Sequence, residues 1–492
     1  MQKILNKANK DIVILVFGKV LQIIIALLAV RLLTTFLSES EVGSYYLLLT
    51  LLTLFNFAFL NPVGQYYNRY VLYWKQNANL SNANAMLLLS RAVGIILSLF
   101  VATFIYFIFD YSTLFQFTHF ILFIFISLIA SSYLAFLNVI NLIGNRLLFI
   151  KYLLLSLVLG ISLSIIINLY ISDTGMAWLY GIALAQILLF LPMYNNINNF
   201  DKLNVKLLSR KISVIQCKRV MFFSFPVMIT LFLQWGQNSS YRLIVEDKYT
   251  VEVLSYIAVG LAVATSIFTA VESLATQYFM PNYLNQINNG TSEERSAAWN
   301  YLASYMIPIY FLLMMYVIFT APFLMKLLVN EKYHNAYSYV MIGASIEFFR
   351  VCSNLIYLVS QSEVKTKTTI IPYLTGFTIM ICCLYYFDAN DALWLIPSTL
   401  SFTYFLISAM LYFNMKKLLA IKLAFGNIIF SFLLSSFFCT LFFLNKEQNI
   451  LNSILIILVF GGVFLFFSYL IFRRASLKYG ERLFNLDKVD IK

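Results

Sequence analysis

Residues 31–48, RLLTTFLSESEVGSYYLL, join the end of one apolar run to the start of the next. Arg31 stands where the chain should be leaving lipid, and a Val-Gly-Ser-Tyr element ending at Tyr45 follows a short acidic turn. A second stretch, YRLIVEDKYTVEVLSY at 241–256, has the same order of a basic residue, an acidic turn and a closing Tyr. Arg31 and Arg242 each lie 14 residues before that Tyr, and they are 211 residues apart.

A second pair of segments repeats at nearly the same interval. NLIGNRLLFIKYLL at 141–154 and YLVSQSEVKTKTTIIPYL at 357–374 are both short basic elbows between apolar runs. Six predicted spans separate the members of each pair, and an even number preserves orientation, so the two halves are predicted to be parallel repeats. The sequence therefore predicts an N-terminal six-helix lobe at 1–194, a basic cytoplasmic linker at 195–219, a C-terminal six-helix lobe at 220–414, and two further helices with a basic tail at 415–492.

The composition of the 492-residue chain is that of a polytopic membrane protein. It is 61% hydrophobic and 11% charged, with a mean hydropathy of +0.83, whereas soluble domains are about 45–50% apolar and about 25% charged. Apolar runs of about 20 residues recur, which is the length that a helix needs to cross a bilayer. We predict an all-α membrane protein with about 14 transmembrane helices, at 12–35, 42–63, 85–108, 117–141, 147–171, 176–194, 220–243, 251–278, 299–325, 336–360, 368–387, 391–414, 421–444 and 450–472.

Lys and Arg are distributed unevenly between the two sides of the predicted bilayer. With the N-terminus inside, the even connections and both tails hold most of the 34 basic residues, and Lys248, Lys326, Lys332 and Lys446 fall on the opposite side. By the positive-inside rule, both termini are then cytoplasmic. The net charge of +13 therefore reflects membrane orientation, and we predict no nucleic-acid partner. The first helix is expected to stay as an anchor, because its apolar run is too long for a cleaved signal.

No predicted connection is long enough to hold a catalytic domain. The two longest, 195–219 and 279–298, are mostly polar, so a membrane polysaccharide polymerase or ligase is the less favoured alternative. We predict no enzyme activity and no catalytic residue. The five cysteines lack a metal-type spacing, and His119 and His334 are far apart in the chain. The sequence therefore predicts neither a metal site nor a cofactor.

Charged residues inside the predicted spans are the candidate site residues. A charge near mid-membrane costs roughly 2.5–3.5 kcal/mol, so it usually faces a cavity or a partner. The basic ones are Lys19, Arg31, Arg91, Arg242 and Arg350, and the acidic ones are Glu272, Glu347 and, at a span edge, Glu252. A cavity with this positive balance suits an anionic substrate, because a planar guanidinium matches phosphate oxygens. We therefore predict pyrophosphate contacts at Lys19, Arg31, Arg242 and Arg350.

The basic residues have a structural alternative. Arg31 and Arg242 lie near the outer ends of their helices, where the side chains could instead snorkel to the outer headgroups. Arg91 lies near the inner end of its span and is expected to snorkel inward. Lys19 lies about a third of the way into the first span, which makes it the better cavity candidate.

The acidic residues point to coupling with an ion gradient. Glu347 and Arg350 are three residues apart on one predicted helix and could simply neutralise each other. Glu272 has no neighbouring cation in the sequence and lies in the inner half of its span. Glu272 and Glu347 are therefore the candidates for binding a coupling proton or sodium ion.

Several short motifs follow one another in a fixed order along the chain. They are Arg31-Leu32-Leu33, Gly43-Ser44-Tyr45, Gly64 and Arg69 in NPVGQYYNRYV, Phe223-Ser224-Phe225-Pro226, Arg242 and Pro281. In this order they resemble the Wzx-type polysaccharide flippases of the multidrug/oligosaccharidyl-lipid/polysaccharide (MOP) exporter superfamily. The resemblance covers the whole chain in span layout and is clearest over 1–75 and 218–285. Leu254 departs from the pattern, which often has Gly there.

That resemblance implies two six-helix lobes in a V around a central cavity, with two additional C-terminal helices. The implied cargo is a polyprenyl-pyrophosphate-linked oligosaccharide, such as an O-antigen or other surface-polysaccharide repeat unit. Alternating access would move it from the inner to the outer leaflet of the cytoplasmic (inner) membrane, coupled to a proton or sodium gradient. Membrane lipids, a polysaccharide polymerase and a chain-length regulator are the implied partners. The alternative in the same fold is a multidrug or cation exporter, which would need a more acidic cavity.

Overall fold

The structure is a computed structural model that describes residues 2–77, 79–196, 214–363, 365–387, 392–444 and 449–477. Within these residues every regular element is helical, and fourteen helical segments are long and apolar enough to cross a membrane. The prediction of an all-α polytopic protein with fourteen spans is therefore confirmed. The C-terminal tail and most of the predicted linker lie outside the described residues.

The chain divides into two compact units, Met1–Ser255 and Tyr256–Lys492. This division follows from packing within the chain, and the lobe boundaries drawn from the sequence stay a prediction. The helices of the first unit are α1 (Gln2–Phe36), α2 (Glu39–Phe55), α3 (Asn61–Gln76), α4 (Leu80–Ile108), α5 (Phe117–Leu142), α6 (Arg146–Tyr170), α7 (Gly175–Asn195), α8 (Val214–Ser239) and α9 (Tyr241–Lys248). A long helix, α10 (Val251–Asn289), begins at the end of this unit.

The core of the first unit joins α3, α4, α5, α6 and α7. Its largest members are aromatic, and Tyr67, Tyr133 and Phe136 are almost fully buried. The hydroxyl groups of the two tyrosines also form hydrogen bonds. The Tyr133 hydroxyl donates to the backbone carbonyl of Tyr152 at 2.7 Å, and the Tyr67 hydroxyl donates to the side-chain oxygen of Asn84. Because the ring is buried and the hydroxyl has a hydrogen-bond partner, each of these side chains fixes the position of one helix along its neighbour.

Span 2 is a continuous helical rod that changes its winding halfway. A π-helical segment, Asn56–Leu60, joins α2 to α3, and Pro62 stands in the first turn of α3. Proline interrupts the backbone hydrogen-bond ladder of a helix because it has no N–H, and here this interruption lies directly after the π-helical segment. Residues 66–74, YYNRYVLYW, form the last part of this long span.

The second unit continues α10 and adds six further helices. They are α11 (Ser292–Leu328), α12 (Tyr337–Ser362), α13 (Ile370–Tyr386), α14 (Leu395–Lys416), α15 (Phe425–Ser435) and α16 (Ile450–Ala475). A 3₁₀ segment, Ser436–Phe443, extends α15 to the length of a span.

The thirteenth span, which begins with α15, is bonded to α11 at a proline. Pro308 has no N–H to bond the carbonyl of Ser304 one turn earlier, and the Asn427 side-chain amide donates to that carbonyl at 2.9 Å instead. Ser431 donates to the carbonyl of Pro308 itself at 2.7 Å. In lipid every backbone polar group needs such a partner. The side chains of α15 therefore supply hydrogen bonds to the carbonyls at the proline, and these bonds fix the position of α15 along α11.

Candidate functional site

Five polar side chains of the second unit form one connected cluster between α10 and α12, which we call the Arg350 cluster. The guanidinium of Arg350 donates through Nε to Glu347 Oε2 at 2.7 Å and through Nη2 to Glu272 Oε2 at 2.9 Å. The second oxygen of each carboxylate is also occupied: Asn354 Nδ2 donates to Glu272 Oε1 and Thr265 Oγ1 to Glu347 Oε1, both at 2.8 Å. One cation thus bridges two carboxylates on different helices.

Helical geometry explains why these residues meet. Thr265 and Glu272 are seven residues apart on α10, and Glu347 and Asn354 are seven apart on α12. Seven residues make about two turns and about 10 Å of rise, so each pair occupies one stripe of its helix. The matching spacing places a hydroxyl opposite one carboxylate and an amide opposite the other, with Arg350 between them.

A small cavity opens beside the cluster. It has a volume of about 90 Å³ and is lined by side chains of α10, α11 and α12, including Glu272, Thr276, Tyr310 and Asn354. The rest of its lining is apolar, and its volume exceeds the roughly 10–15 Å³ that one water molecule needs. Glu272 therefore has protein partners and also faces a small cavity with a few polar groups.

The Arg350 cluster contains more carboxylates than cations. Two carboxylates and one guanidinium give it one net negative charge, and the three side chains are 7–23% exposed. A proton or a monovalent cation would neutralise it. The contact between Arg350 and Glu347 fits the structural alternative in which they neutralise each other. The cation beside Glu272 belongs to α12, 78 residues away in the sequence. The roles predicted for these three residues stay predictions.

Arg242 lies in a different setting, among tyrosines of the first unit. Its guanidinium carbon is 5.2 Å from the centre of the Tyr46 ring and 5.6 Å from that of Tyr241. Nη1 donates to Thr50 Oγ1 at 3.3 Å, and Nε to the Tyr241 hydroxyl at 3.2 Å. An arginine side chain keeps its proton in proteins, so Arg242 is a cation, and it has no carboxylate partner among the described residues.

The other two predicted contacts lie on α1 of the same unit. Lys19 is half-buried, with its Nζ 6.0 Å from the centre of the Phe149 ring on α6. Arg31 is half-buried in the last turns of α1, and its backbone carbonyl accepts hydrogen bonds from Thr34 and Thr35 at 3.0 and 2.7 Å. Lys19, Arg31 and Arg242 thus belong to one unit and Arg350 to the other.

The expectation that Arg91 snorkels to the inner interface is wrong. Its side chain is buried, 3% exposed, and turns toward α5. Nε donates to Ser132 Oγ at 2.9 Å and Nη2 to Ser131 Oγ at 2.6 Å. Two adjacent serines on the facing helix offer these acceptors, and only the three-dimensional pairing of α4 with α5 reveals them.

An acidic pair outside the spans faces a buried tyrosine. Glu246 and Asp247 lie in the last turn of the short helix α9, and both interact electrostatically with Tyr111 in the turn after α4. Tyr111 is 1% exposed, and among the described residues its hydroxyl has no hydrogen-bond partner. Burial and the neighbouring Asp247 raise the pKa of Glu246 to about 7. Glu246 therefore gains a proton near neutral pH.

Glu246→Gln is expected to flatten part of the pH dependence of stability. The pKa of Glu246 is raised above its ordinary value of 4.5 to about 7 in the folded protein, so the folded state binds more protons in that window and loses stability as pH rises through it. The variant should therefore gain thermal stability over the wild type at pH 8 and little at pH 4.5. Thermal midpoints of the detergent-solubilised protein across this range test it, with Asp173→Asn, at an exposed acidic residue between α6 and α7, as control. Identical pH profiles for Glu246→Gln and wild type would contradict the assignment.

Comparison with known proteins bears on the fold. No protein-family model matches the chain, and no curated protein matches it. Among solved structures, the lipid II flippase MurJ in an inward closed conformation is 15% identical, covers 93% of this chain and 97% of its own, and superposes with a TM-score of 0.61. An inward-facing multidrug resistance transporter of the MATE family in the MOP superfamily is 11% identical, covers 82% of this chain and 94% of its own, and gives 0.55.

A third structure is a MOP superfamily transporter from Pyrococcus furiosus described as having a binding pocket of reverse polarity. It is 13% identical, covers 83% of this chain and 96% of its own, and has a TM-score of 0.53. At such identities the likeness concerns the fold, and all three share the helical arrangement of this chain over most of their length. The chain has the fold of the transporters of the MOP superfamily.

Proposed function

We propose that the protein is a flippase that moves a polyprenyl-pyrophosphate-linked oligosaccharide across the cytoplasmic (inner) membrane. The cargo is the repeat unit of an O-antigen or another surface polysaccharide, and it passes from the inner to the outer leaflet by alternating access. Both termini are cytoplasmic in this proposal, and the energy comes from a proton or sodium gradient. A polysaccharide polymerase and a chain-length regulator would receive the product.

The observation that carries this proposal is the extent of the fold match. The MATE-family structure and the Pyrococcus furiosus transporter leave about a sixth of this chain unmatched, although nearly all of their own length is aligned. The lipid II flippase matches 93% of it. The structure of the lipid II flippase thus covers more of this chain than the other two structures do, which supports a lipid-linked cargo.

The charged residues of the two units support different roles in the proposed transport. Arg242 is a cation held by tyrosines and a threonine, so its charge is available to an anion such as a pyrophosphate. Lys19 and Arg31, on α1 of the same unit, are the further candidates. Arg350 is occupied by two carboxylates, and it becomes available only when one of them is neutralised.

The Arg350 cluster is proposed to couple transport to the ion gradient. When Glu272 takes a proton or a sodium ion from the adjoining cavity, its attraction for Arg350 falls and the bridge between α10 and α12 weakens. When the ion leaves, the bridge forms again. A two-state element whose equilibrium depends on ion binding is what alternating access requires.

A reconstituted flipping assay tests the proposal. The probe is a fluorescent polyprenyl-pyrophosphate-linked disaccharide in proteoliposomes, and its inner-leaflet fraction is protected from quenching by dithionite. This protected fluorescence should be lost when protein and an ion gradient are present. Arg242→Ala should slow flipping at least about tenfold, because a charge-assisted hydrogen bond contributes about 1.5–3 kcal/mol. Arg242→Lys should restore only part of the rate, since Lys lacks the planar fork. Arg146→Ala, on α6, is the matched control and should leave the rate unchanged.

The main competing function is export of an organic cation. The net negative charge of the Arg350 cluster is the observation in its favour. Ethidium in the same vesicles distinguishes the two: gradient-driven ethidium transport that depends on Glu272, with no movement of the lipid-linked probe, would replace the flippase proposal by an exporter.

A further inference from the structure

A crevice in the first unit has no place in the proposed transport cycle. It lies between span 2, α4 and α8, has a volume of about 320 Å³, and we call it the Pro62 crevice. Its lining includes Ala58, Pro62, Val93, Gly94, Ser224 and Phe225. All three walls belong to membrane spans.

The irregular backbone of span 2 creates the crevice. The π-helical segment Asn56–Leu60 and Pro62 form one wall, and π segments bulge out of the regular helical path. Gly94 lets α4 approach this bulge, because a Cβ there would lie 2.7 Å from the Leu60 side chain and 3.1 Å from the Phe59 carbonyl oxygen. The Ser224 hydroxyl donates to the carbonyl of Pro62 at 3.4 Å, which fixes α8 on the other side.

The surface of the crevice is hydrocarbon. Its two hydroxyls are already used within the protein, since Ser224 bonds Pro62 and Ser90 donates to the carbonyl of Leu87 at 2.8 Å. Three methionines, Met86, Met221 and Met228, complete the lining. Methionine side chains adapt their shape to what they contact, so the crevice suits a flexible apolar chain rather than a sugar.

Cations stand at one end of the crevice. Arg69 lies seven residues after Pro62 on α3, about 10 Å along the helix, and Lys218 and Arg219 directly precede the first lining residues of α8. All three are exposed. The guanidinium carbon of Arg69 is 5.8 Å from the Phe223 ring of α8, so α3 and α8 present their charges side by side. None of α3, α4 and α8 contains an acidic residue.

An apolar crevice with a cationic rim is complementary to an anionic phospholipid, whose acyl chains are apolar and whose headgroup is negatively charged. We propose that the Pro62 crevice binds an anionic phospholipid of the membrane, with an acyl chain along Pro62 and Val93 and the headgroup phosphate at Arg69 and Arg219. Guanidinium groups favour phosphate oxygens, and the positive-inside prediction places this end at the cytoplasmic leaflet, where anionic lipids attract basic residues. The proposal does not depend on the identity of the cargo.

Native mass spectrometry of the purified full chain tests the site. Dioleoyl phosphatidylglycerol and dioleoyl phosphatidylcholine have the same chains and differ in headgroup charge, so their relative binding isolates the cationic rim. The wild type should bind phosphatidylglycerol about 30-fold more tightly, and Arg69→Gln with Arg219→Gln should remove this preference. The matched control is Arg146→Gln with Lys151→Gln on α6, which should retain it.

A second variant tests the apolar end. Val93→Trp should fill the crevice and lower binding of both lipids about tenfold, whereas Ile96→Trp, on the same helix but outside the crevice, should not. Equal binding of the two lipids by the wild type, or equal effects of the two Trp substitutions, would overturn the proposal. So would displacement of phosphatidylglycerol by glycerol 3-phosphate, which would indicate a free phosphate site, or preferential displacement by undecaprenyl phosphate, which would assign the crevice to the cargo.

Discussion

Arg350→Ala is expected to abolish transport and to lower the free energy of unfolding by about 3–5 kcal/mol. The substitution leaves Glu272 and Glu347 on facing helices without the guanidinium that bridges them at 2.9 and 2.7 Å. Removing one partner of a buried ion pair lowers the free energy of unfolding by more than the pair itself contributes to it, because the remaining charge stays in a low-dielectric site. Thermal unfolding in detergent and the flipping assay in vesicles measure the two losses separately.

Second substitutions separate stability from function. Glu347→Gln in the Arg350→Ala background removes one of the stranded charges, so it should recover part of the stability and none of the transport. Arg350→Lys keeps the charge but lacks the fork that reaches both carboxylates, and an intermediate loss is expected. Arg295→Ala, which breaks the more peripheral pair with Glu363 at 2.8 Å, is the matched control and should leave transport intact. Full transport by Arg350→Ala would exclude the cluster from the coupling step.

The sequence predicted one half of this cluster and could not predict the other. Glu347 and Arg350 are three residues apart, and helical periodicity alone places them on one face. Glu272 meets Arg350 across 78 residues of sequence, so the contact depends on how α10 packs on α12. The seven-residue spacing of Thr265 with Glu272 and of Glu347 with Asn354 was a usable signal, because it marks a polar stripe on each of two apolar helices.

The spans were predictable for a simpler physical reason. Bilayer thickness fixes the length of an apolar helix, so hydropathy alone located all fourteen segments. Side-chain direction has no such rule. Arg91 bonds serines of α5 rather than reaching the interface. The local sequence of the π-helical segment in span 2 does not indicate its winding either. Local sequence therefore determined where helices cross, while packing between helices determined which polar groups meet.

The two short stretches that share a pattern in the sequence also touch in the structure. Gly43, in the first Val-Gly-Ser-Tyr element, lies against the backbone of Val251, where α10 begins. The second stretch holds Arg242, which reaches Tyr46 and Thr50 on the same helix as Gly43. At the position that corresponds to Gly43, the second stretch has Leu254, which is fully buried. Glycine is thus needed in the first copy, where a backbone passes close by.

Gly43→Ala is accordingly expected to lower the free energy of unfolding by about 1–3 kcal/mol, the usual cost of overpacking. A Cβ at Gly43 would lie within 3.0 Å of the carbonyl oxygen of Val251, a backbone atom that no rotamer change can remove. Val251→Ala should therefore fail to rescue it fully, although it shortens the side chain that also clashes. Gly64→Ala, on the same span, has no atom within 4 Å of its Cβ and should be neutral or stabilising, because Ala favours a helix over Gly by about 1 kcal/mol. Thermal midpoints of the three variants decide the matter: if Gly43→Ala and Gly64→Ala behave alike, helix propensity rather than the approach of Val251 governs this position.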